Sequence, residues 1–397
     1  MQIIELTEYQ PTLIQRQQLP LALGEWLWQT YDQQGGRLLV EFPSPKTDQQ
    51  WRLTAQGWVG QIPVTPDLTL SLKPKVSLQN LFGMWRYAYR LNSFHWLDSI
   101  AHVDSLADFY EQLALVLAQG VLRRAKQGFF RAYVAQTGKL PFLRGQLQTA
   151  ALAKRPFPTT FPCRYDTQTA DLLHNQILAT TLHQIARSGV CGERVGTAVR
   201  RAYRILQATT TPTVIQPHVL NTLVYNRLNQ DYRPLHAICR FFLEQRSPSH
   251  EVGKWEIRPF LVNMARLYEL FVAEWLVAHL PDGWHVVPQE SLTLGSQDEL
   301  RFDIDLVLYD AAGSAKMVLD TKYKTPDKPA NPDFSQVVTY AHARGVQHAA
   351  LIYPTPLSTP LAVRLGDLNI YSLTFAVNKP IEEAGQQFLT SLWTKMG

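Results

Sequence analysis

From 112 to 165 the chain carries no acidic residue at all, although Asp and Glu together number 33 in its 397 residues. Nine basic side chains fall in that interval: Arg123, Arg124, Lys126, Arg131, Lys139, Arg144, Lys154, Arg155 and Arg164. Cysteine is nearly absent. Cys163, Cys191 and Cys239 are too few and too widely spaced for a zinc site or a disulfide framework, which points to small core residues in a reducing, cytoplasmic setting. No run approaches the roughly 20 apolar residues of a membrane helix. Met1–Glu8 lacks the basic head and apolar core of a secretory signal. No G-x-x-x-x-G-K-[ST] occurs, so the chain has no phosphate-cradling loop of its own. Repeats and low-complexity tracts are missing, and no Ser or Cys sits in a nucleophile elbow or triad context.

With 46% apolar residues, there is ample chain for two or three domains of α/β type, α+β overall. Residues 1–75 are rich in strand patterns (Gln2–Thr7, Arg37–Phe42, Trp51–Leu53, Gly57–Ile62, Leu68–Leu72), with one helix-like segment, Leu21–Tyr31. Residues 76–245 read as mainly helical: Leu78–Arg90, Leu106–Gln127, Asp171–Ser188, Arg194–Gln207 and Val219–Glu244, with loops at Gly138–Pro141 and Pro156–Pro162. Ser247–His250 is the linker pattern, and 251–397 forms a third region. Trp26, Trp28, Trp51 and Trp58 suit the core and edges of a small sheet, or stacking on an exposed base. His285, His342 and His348 share no metal-ligand spacing.

The densest chemistry lies in Arg301–Lys324, RFDIDLVLYDAAGSAKMVLDTKYK. Two strand patterns flank the turn Asp310–Ser314. Side chains alternate along a strand, so Asp303 and Asp305 share one face of the first, and Lys316, Asp320 and Lys322 one face of the second. The hairpin thus offers Asp305, Asp320 and Lys322 a common side, the D…(D/E)-x-K arrangement of magnesium-dependent nucleases. Mg²⁺ prefers oxygen ligands and keeps several waters, so Asp305, Asp320 and the backbone carbonyl of Thr321 suffice to hold it. Lys322 is placed to stabilise charge on the phosphate in the transition state. If desolvation lowers its pKa, it could also accept a proton. A surface hairpin with a solvated charged face produces the same alternation.

The flanking segments extend this pattern. Pro259–Leu280 reads as a helix carrying Glu269 among apolar residues, where a carboxylate is costly unless paired or bound to a cation. Asn331–Tyr340 reads as a capped helix start with Gln336 and Tyr340 one turn apart. Gln347–Tyr353 reads as a buried strand. Helix, hairpin, helix, strand is the order of the restriction-endonuclease-like PD-(D/E)xK core. Ile304 stands at the position of the proline that names that motif.

These residues together resemble the McrC family, the nuclease subunits of McrBC modification-dependent restriction systems. The resemblance rests on Glu269, Ile304–Leu308, Asp320–Lys324 and Gln336…Tyr340. Upstream it rests on Leu72–Lys75 with Asn80–Met84, Leu143–Gln146, and Cys163–Asp166 with Asp171–Asn175. It implies a Mg²⁺-dependent DNA endonuclease with Glu269, Asp305, Asp320, Lys322 and Gln336 as catalytic set, and Glu269 beside Asp305, Asp320 and Thr321 at the metal. It also implies an AAA+ GTPase partner that carries the GTP, and methylated double-stranded DNA as substrate. The basic interval, interleaved with Phe129, Phe130, Tyr133 and Phe142, fits a surface tracking phosphates, a dock for that partner, or helix faces over a core. Arg123, Arg124, Lys126, Arg131, Arg144, Lys154, Arg155, Lys324 and Tyr340 are the candidate DNA or partner contacts. A non-cutting activator of an AAA+ NTPase and a RecB-like repair nuclease are the alternatives; the second leaves the upstream segments unexplained.

Overall fold

The computed structural model describes residues 2–65, 67–90, 106–152, 159–188, 191–244, 250–252, 255–257, 260–294, 300–324 and 326–396. They form two compact units, one of Met1–Phe109 with Ser247–Gly397 and the other of Tyr110–Arg246. The boundaries read from the sequence at 75/76 and 245/251 do not coincide with these units. The N-terminal strands and the C-terminal region share one unit.

That unit begins with β1 (Gln2–Thr7), β2 (Thr12–Ile14), α1 (Leu21–Leu27), β3 (Leu38–Glu41), β4 (Trp51–Ala55), β5 (Trp58–Thr65), β6 (Leu68–Lys73) and α2 (Leu78–Ala88). Helix α1 runs on into a π turn over Trp28–Gln33. Strands β2, β4 and β3 make an antiparallel sheet, and β1 pairs parallel to β6, which pairs antiparallel to β5. Trp51 is the centre of the core beneath them. Its indole Nε1 donates to the Leu19 carbonyl at 2.8 Å, and Leu27, Tyr31, Leu53 and Leu70 surround it. Trp26, Trp28 and Trp58 pack partly buried against that cluster, which accounts for them as core and edge residues.

The second unit, led into by α3 (Leu106–Gln127), holds β7 (Ala132–Leu140), β8 (Gln146–Leu147), α4 (Thr149–Leu152), β9 (Phe161–Thr169), α5 (Leu173–Ser188), α6 (Glu193–Gln207) and α7 (Tyr232–Glu244). The reading of this stretch as mainly helical missed a three-stranded antiparallel sheet, β7-β9-β8, which takes in residues placed in the loops Gly138–Pro141 and Pro156–Pro162. Its sequence hides it because β7 is exposed along nearly its whole length, so no apolar alternation marks it. The helix read over Val219–Glu244 is also broken. A 3-10 turn covers Pro217–Thr222, and Asn226 and Asn229 turn the chain by accepting backbone N–H groups before α7 begins. The upstream motif residues have structural work here. Asn175, fully buried, donates to the carbonyls of Phe130 (2.9 Å) and Ala170 (2.6 Å) and accepts from Tyr232 (2.8 Å). Gly145 sits at φ 66°, where a Cβ would lie 2.4 Å from the Arg164 carbonyl, and Arg144 lies over the Tyr165 ring.

Returning to the first unit, the chain forms β10 (His250–Val252), β11 (Trp255–Ile257), β12 (Phe260–Asn263), α8 (Met264–His279), β13 (His285–Leu294), β14 (Leu300–Tyr309), β15 (Ala315–Thr321), α9 (Asn331–Arg344), β16 (His348–Tyr353), β17 (Ala362–Leu365), β18 (Leu368–Thr374) and α10 (Ile381–Met396). The segment read as one helix from Pro259 starts as a strand. Residues 260–263 pair antiparallel with β5, and Asn263 then caps α8 by accepting from Arg266 N at 3.1 Å. A cut between 245 and 251 would therefore strip the sheet β1-β6-β5-β12 of an edge. The cap of α9 is also one residue earlier than read, at Ala330, with Pro332 in the first turn and no side-chain cap bond.

Strands β13-β14-β15-β16-β18-β17 form a six-stranded sheet in that order. The pairs β13/β14, β14/β15 and β17/β18 are antiparallel, and β15/β16 and β16/β18 parallel. Val318, Leu351 and Ile370 pack with Val337 and Ala341 of α9 in one cluster. Phe271 and Trp275 of α8 meet Phe375 and, from α10, Phe388 in another. Helices on both faces explain why the parallel strands read as continuous apolar runs. The architecture is mixed α and β, as the sequence implies. No helix among the described residues is long and apolar enough to cross a membrane.

A buried carboxyl ties the start of the chain to this sheet. Glu8 is fully buried, and its Oε2 accepts from the Tyr323 hydroxyl (3.2 Å) and the Lys75 backbone N–H (3.4 Å). Burial pushes its pKa up to about 7, against those hydrogen bonds and the Lys75 charge. The unfolded chain sheds this proton near the ordinary carboxyl value of 4.5, whereas the folded chain keeps it to about 7. The folded state thus holds the extra proton between those values, and stability declines as pH rises through that window, then levels off. In thermal and urea unfolding, wild type minus Glu8→Gln should fall by up to about 3 kcal/mol from pH 4.5 to 7. A difference that is flat with pH contradicts this role.

Candidate functional site

Strands β14 and β15 pair from Tyr309↔Ala315 to Leu306↔Leu319, and the ladder ends there. On the other side of β14, Pro288↔Leu306 and Glu290↔Ile304 flank Gln289, which has φ 51° and no partner in the register. The ladder is thus interrupted on both sides of Asp305. In place of ladder bonds, Asp305 Oδ2 accepts from the Thr321 backbone N–H (3.0 Å) and hydroxyl (3.1 Å). In an extended strand the N–H and C=O of one residue leave by the same edge, so the Thr321 carbonyl faces the Asp305 side.

Asp320, next along β15, is wholly buried at 0% exposure between β14 and β16. One oxygen lies 2.6 Å from Lys322 Nζ, and Oδ1 has no hydrogen-bond partner among the described residues. Burial, then the charge of Asp305, push the Asp320 pKa up to about 7 against the attraction of Lys322. Lys322 Nζ also donates to Gln336 Oε1 at 3.0 Å, and Gln336 Nε2 donates to the Tyr340 hydroxyl at 2.8 Å. One turn of α9 therefore holds the lysine over the carboxylates. The lowered lysine pKa entertained from sequence is reversed. Burial does depress the ammonium, but Asp320, with Asp305 and Asp333 behind it, outweighs burial and holds Lys322 above its ordinary value. Its ammonium is held between Asp320 and Gln336.

Glu269 comes to the same place from α8. Burial is the main reason its pKa is raised, with Asp305 adding to it, while Arg266 opposes. Its Oε1 accepts from Arg266 at 2.6 Å and from the Gln289 amide. Of the residues read from sequence, Glu269, Asp305, Asp320, Thr321, Lys322, Gln336 and Tyr340 are thus linked by contact or by field. Lys324 lies beside them, its Nζ 2.7 Å from Asp333. The basic residues of the second unit form another set. Arg123, Lys126, Arg131 and Arg144 are exposed. Arg124 is engaged, pairing with Asp231 at 3.3 Å and lying over the Tyr232 ring. Lys154 and Arg155 lie outside the described residues.

Sequence reasoning did not find Gln289, Arg266 or Asp333. Arg266 was legible as an i,i+3 partner of Glu269. Nothing in Pro288-Gln-Glu290 announces a left-handed backbone, which a glutamine rarely adopts.

The profile of the family described as McrBC 5-methylcytosine restriction system component matches residues 53–354, about three quarters of the chain. The chain belongs to this family. It is 23% identical over 212 residues to the type IV methyl-directed restriction enzyme EcoKMcrBC of Escherichia coli (strain K12), a match covering 51% of this chain and 59% of that relative. The chain therefore spans about three fifths of that relative's length. In fold it is similar to a chain from the tetradecameric assembly of Thermococcus gammatolerans McrB AAA+ hexamers with bound McrC, with TM-score 0.52, 16% identity, and coverage of 99% of this chain and 100% of that one. A weaker likeness, TM-score 0.45 at 18% identity, covers 71% of this chain and 89% of a chain from the T. gammatolerans McrBC complex.

Hard oxygen donors and an orphaned, buried Asp320 oxygen fit a divalent cation such as Mg²⁺. Among the described residues no three His, Cys, Asp or Glu side chains group closely enough to hold one alone. The fit is therefore to the pair Asp305 and Asp320 with the Thr321 carbonyl and water, with Glu269 engaged by Arg266 and Gln289. Mg²⁺ at ten times its Kd should raise the stability of the wild-type chain by roughly 1.4 kcal/mol. Differential scanning fluorimetry of Asp320→Asn should show no Mg²⁺ response, and an undiminished response would remove Asp320 from the metal site.

Proposed function

We propose that this chain is a Mg²⁺-dependent DNA endonuclease subunit of a McrBC-like restriction system, with a PD-(D/E)xK nuclease core in its C-terminal part. The observation that carries the reading is the buried Asp320–Lys322 pair, held by Gln336 beside Asp305 where the β14/β15 ladder ends. A structural hairpin has no use for a wholly buried Asp320 set beside a second, half-buried carboxylate at Asp305. In this reading Asp305, Asp320 and the Thr321 carbonyl hold the cation. When bound, Mg²⁺ supplies positive charge at the scissile phosphate and eases deprotonation of the attacking water. Lys322, kept charged by its neighbours, stabilises the negative charge that builds on the phosphate oxygens. Gln336 and Tyr340 fix the direction of that ammonium, so no reorganisation is needed as the transition state forms. Glu269, half-buried and within the field of Asp305, orders the approach from α8 through Arg266 and Gln289.

The partner in this reading is an AAA+ GTPase that carries the nucleotide, as the similar assembly of McrB hexamers with bound McrC suggests. The substrate is methylated double-stranded DNA, in line with the methyl-directed relative. The β7-β9-β8 sheet suits docking. Tyr133 is 72% exposed, Phe142 and Leu143 are exposed beside Arg131 and Arg144, and no acidic residue interrupts them from 112 to 165. Exposed apolar side chains at both ends of β7, flanked by basic ones, fit an interaction surface.

With purified partner, GTP and methylated DNA, Asp305→Ala, Asp320→Ala and Lys322→Ala should each cut on the order of a hundred- to a thousand-fold more slowly, while still binding the partner. Without the partner the wild-type chain should show little specific cutting. Near wild-type cleavage by the Asp320 variant overturns the site, and a wild-type chain that stimulates GTP turnover in a complex that never cuts DNA points to the non-cutting activator.

A further inference from the structure

The segments Leu72–Lys75 and Asn80–Met84 belong to the pattern of the chain, yet the catalytic reading leaves them without a task. Lys75 of the first segment lines a cavity of about 290 Å³ next to the candidate catalytic centre, and Asn80 of the second bonds Val377 in its lining. Tyr323 and Lys324, which directly follow Lys322, form one wall. Lys75, Tyr9, Val377 and Asn378 line it as well. The cavity opens where the carboxyl ends of β15, β16 and β18 come together, the usual ligand position in a sheet with parallel strands.

The lining residues are tied to one another by buried polar groups. Glu8 accepts from Tyr323 and from the Lys75 backbone. The Asn80 amide donates to the Val377 carbonyl at 2.7 Å, and Val377 N–H donates to the Pro354 carbonyl at 3.1 Å. A fully buried carboxyl raised in pKa costs stability, so its use as a cross-brace marks a cavity whose shape is maintained. The distribution of character is equally particular. Lys75 is exposed at the mouth, its Nζ over the Tyr9 ring at 4.9 Å and in no ion pair among the described residues. Tyr323 and Val377 are buried and give the interior an aromatic, apolar lining.

We propose that this cavity binds one nucleotide unit, with the phosphate on Lys75 at the mouth and the base against Tyr9, Tyr323 and Val377. It rests on the nuclease reading for its expected source, the DNA strand that crosses the catalytic centre; a free nucleotide offers the same chemistry. Charge outside and an aromatic interior match a phosphate joined to a π-face. Its nearness to Lys322 gives the Leu72–Lys75 and Asn80–Met84 segments a shared purpose: they build a substrate pocket against the end of β15.

The test is fluorescence anisotropy of a short labelled single-stranded oligonucleotide on the full chain in EDTA, across a salt series, with dAMP as competitor. Lys75→Ala should weaken binding several-fold and lower the slope of log affinity against log salt by about 0.7, while Lys75→Arg retains both. Thr355→Trp, which fills the cavity, and Tyr9→Ala should each weaken binding about ten-fold. Loss confined to the oligonucleotide supports a strand nucleotide, and loss confined to dAMP a free one. Unchanged binding of both in the Lys75 and Thr355 variants overturns the pocket. Because binding is read without cleavage, that result leaves the nuclease reading standing if Asp320→Ala still fails to cut.

Discussion

The arrangement of the first unit depends on a charge placed where charge is expensive. Asp320 lies in the middle of a six-stranded sheet, entirely buried, with Asp305 across an interrupted ladder and Lys322 as its counterion. Burial raises the pKa of Asp320, and repulsion from Asp305 adds to it. The lysine offsets part of this, and Gln336 and Tyr340 hold the lysine in turn. Removing one partner from such a set leaves another buried and uncompensated. Each of these residues therefore has a physical reason to be present only in the company of the others.

The second constraint is the joining of chain ends far apart in sequence. Strand β12 completes a sheet begun by β1, β5 and β6, and Glu8 is braced against Tyr323. The N-terminal strands are thereby part of the scaffold that presents the end of β15. The second unit serves a different need: it exposes a thin sheet, basic and partly apolar, on a framework held by Asn175 and the glycine at 145.

The site was largely legible because carboxylates and a lysine in strand alternation are chemically conspicuous. Asp305, Asp320 and Lys322 follow from period two alone, and Gln336 with Tyr340 from one helical turn. Gln289 was not legible, since its left-handed backbone is imposed by the gap in the ladder and not by its own preference. The role of Lys322 was only half legible. Its environment was foreseen as desolvating, but the balance between burial and three nearby carboxylates depends on distances that no sequence states. The strand at Ala132–Leu140 was missed because it buries so little, and the strand at Phe260–Asn263 because only three apolar residues precede the Asn263 cap of α8. Strand and helix are indistinguishable by pattern over three apolar residues.

Asp305, Asp320 and the Thr321 carbonyl are proposed to form one divalent-cation site at the end of β15. Its most direct test is a crystal structure of the chain soaked in Mn²⁺, with an anomalous difference map. The expected peak lies between the two carboxylates on the Thr321 carbonyl side, with Lys322 Nζ drawn away from Asp320 while still bound by Gln336. A map with no peak there, with the Asp320–Lys322 pair unmoved at saturating Mn²⁺, would contradict it.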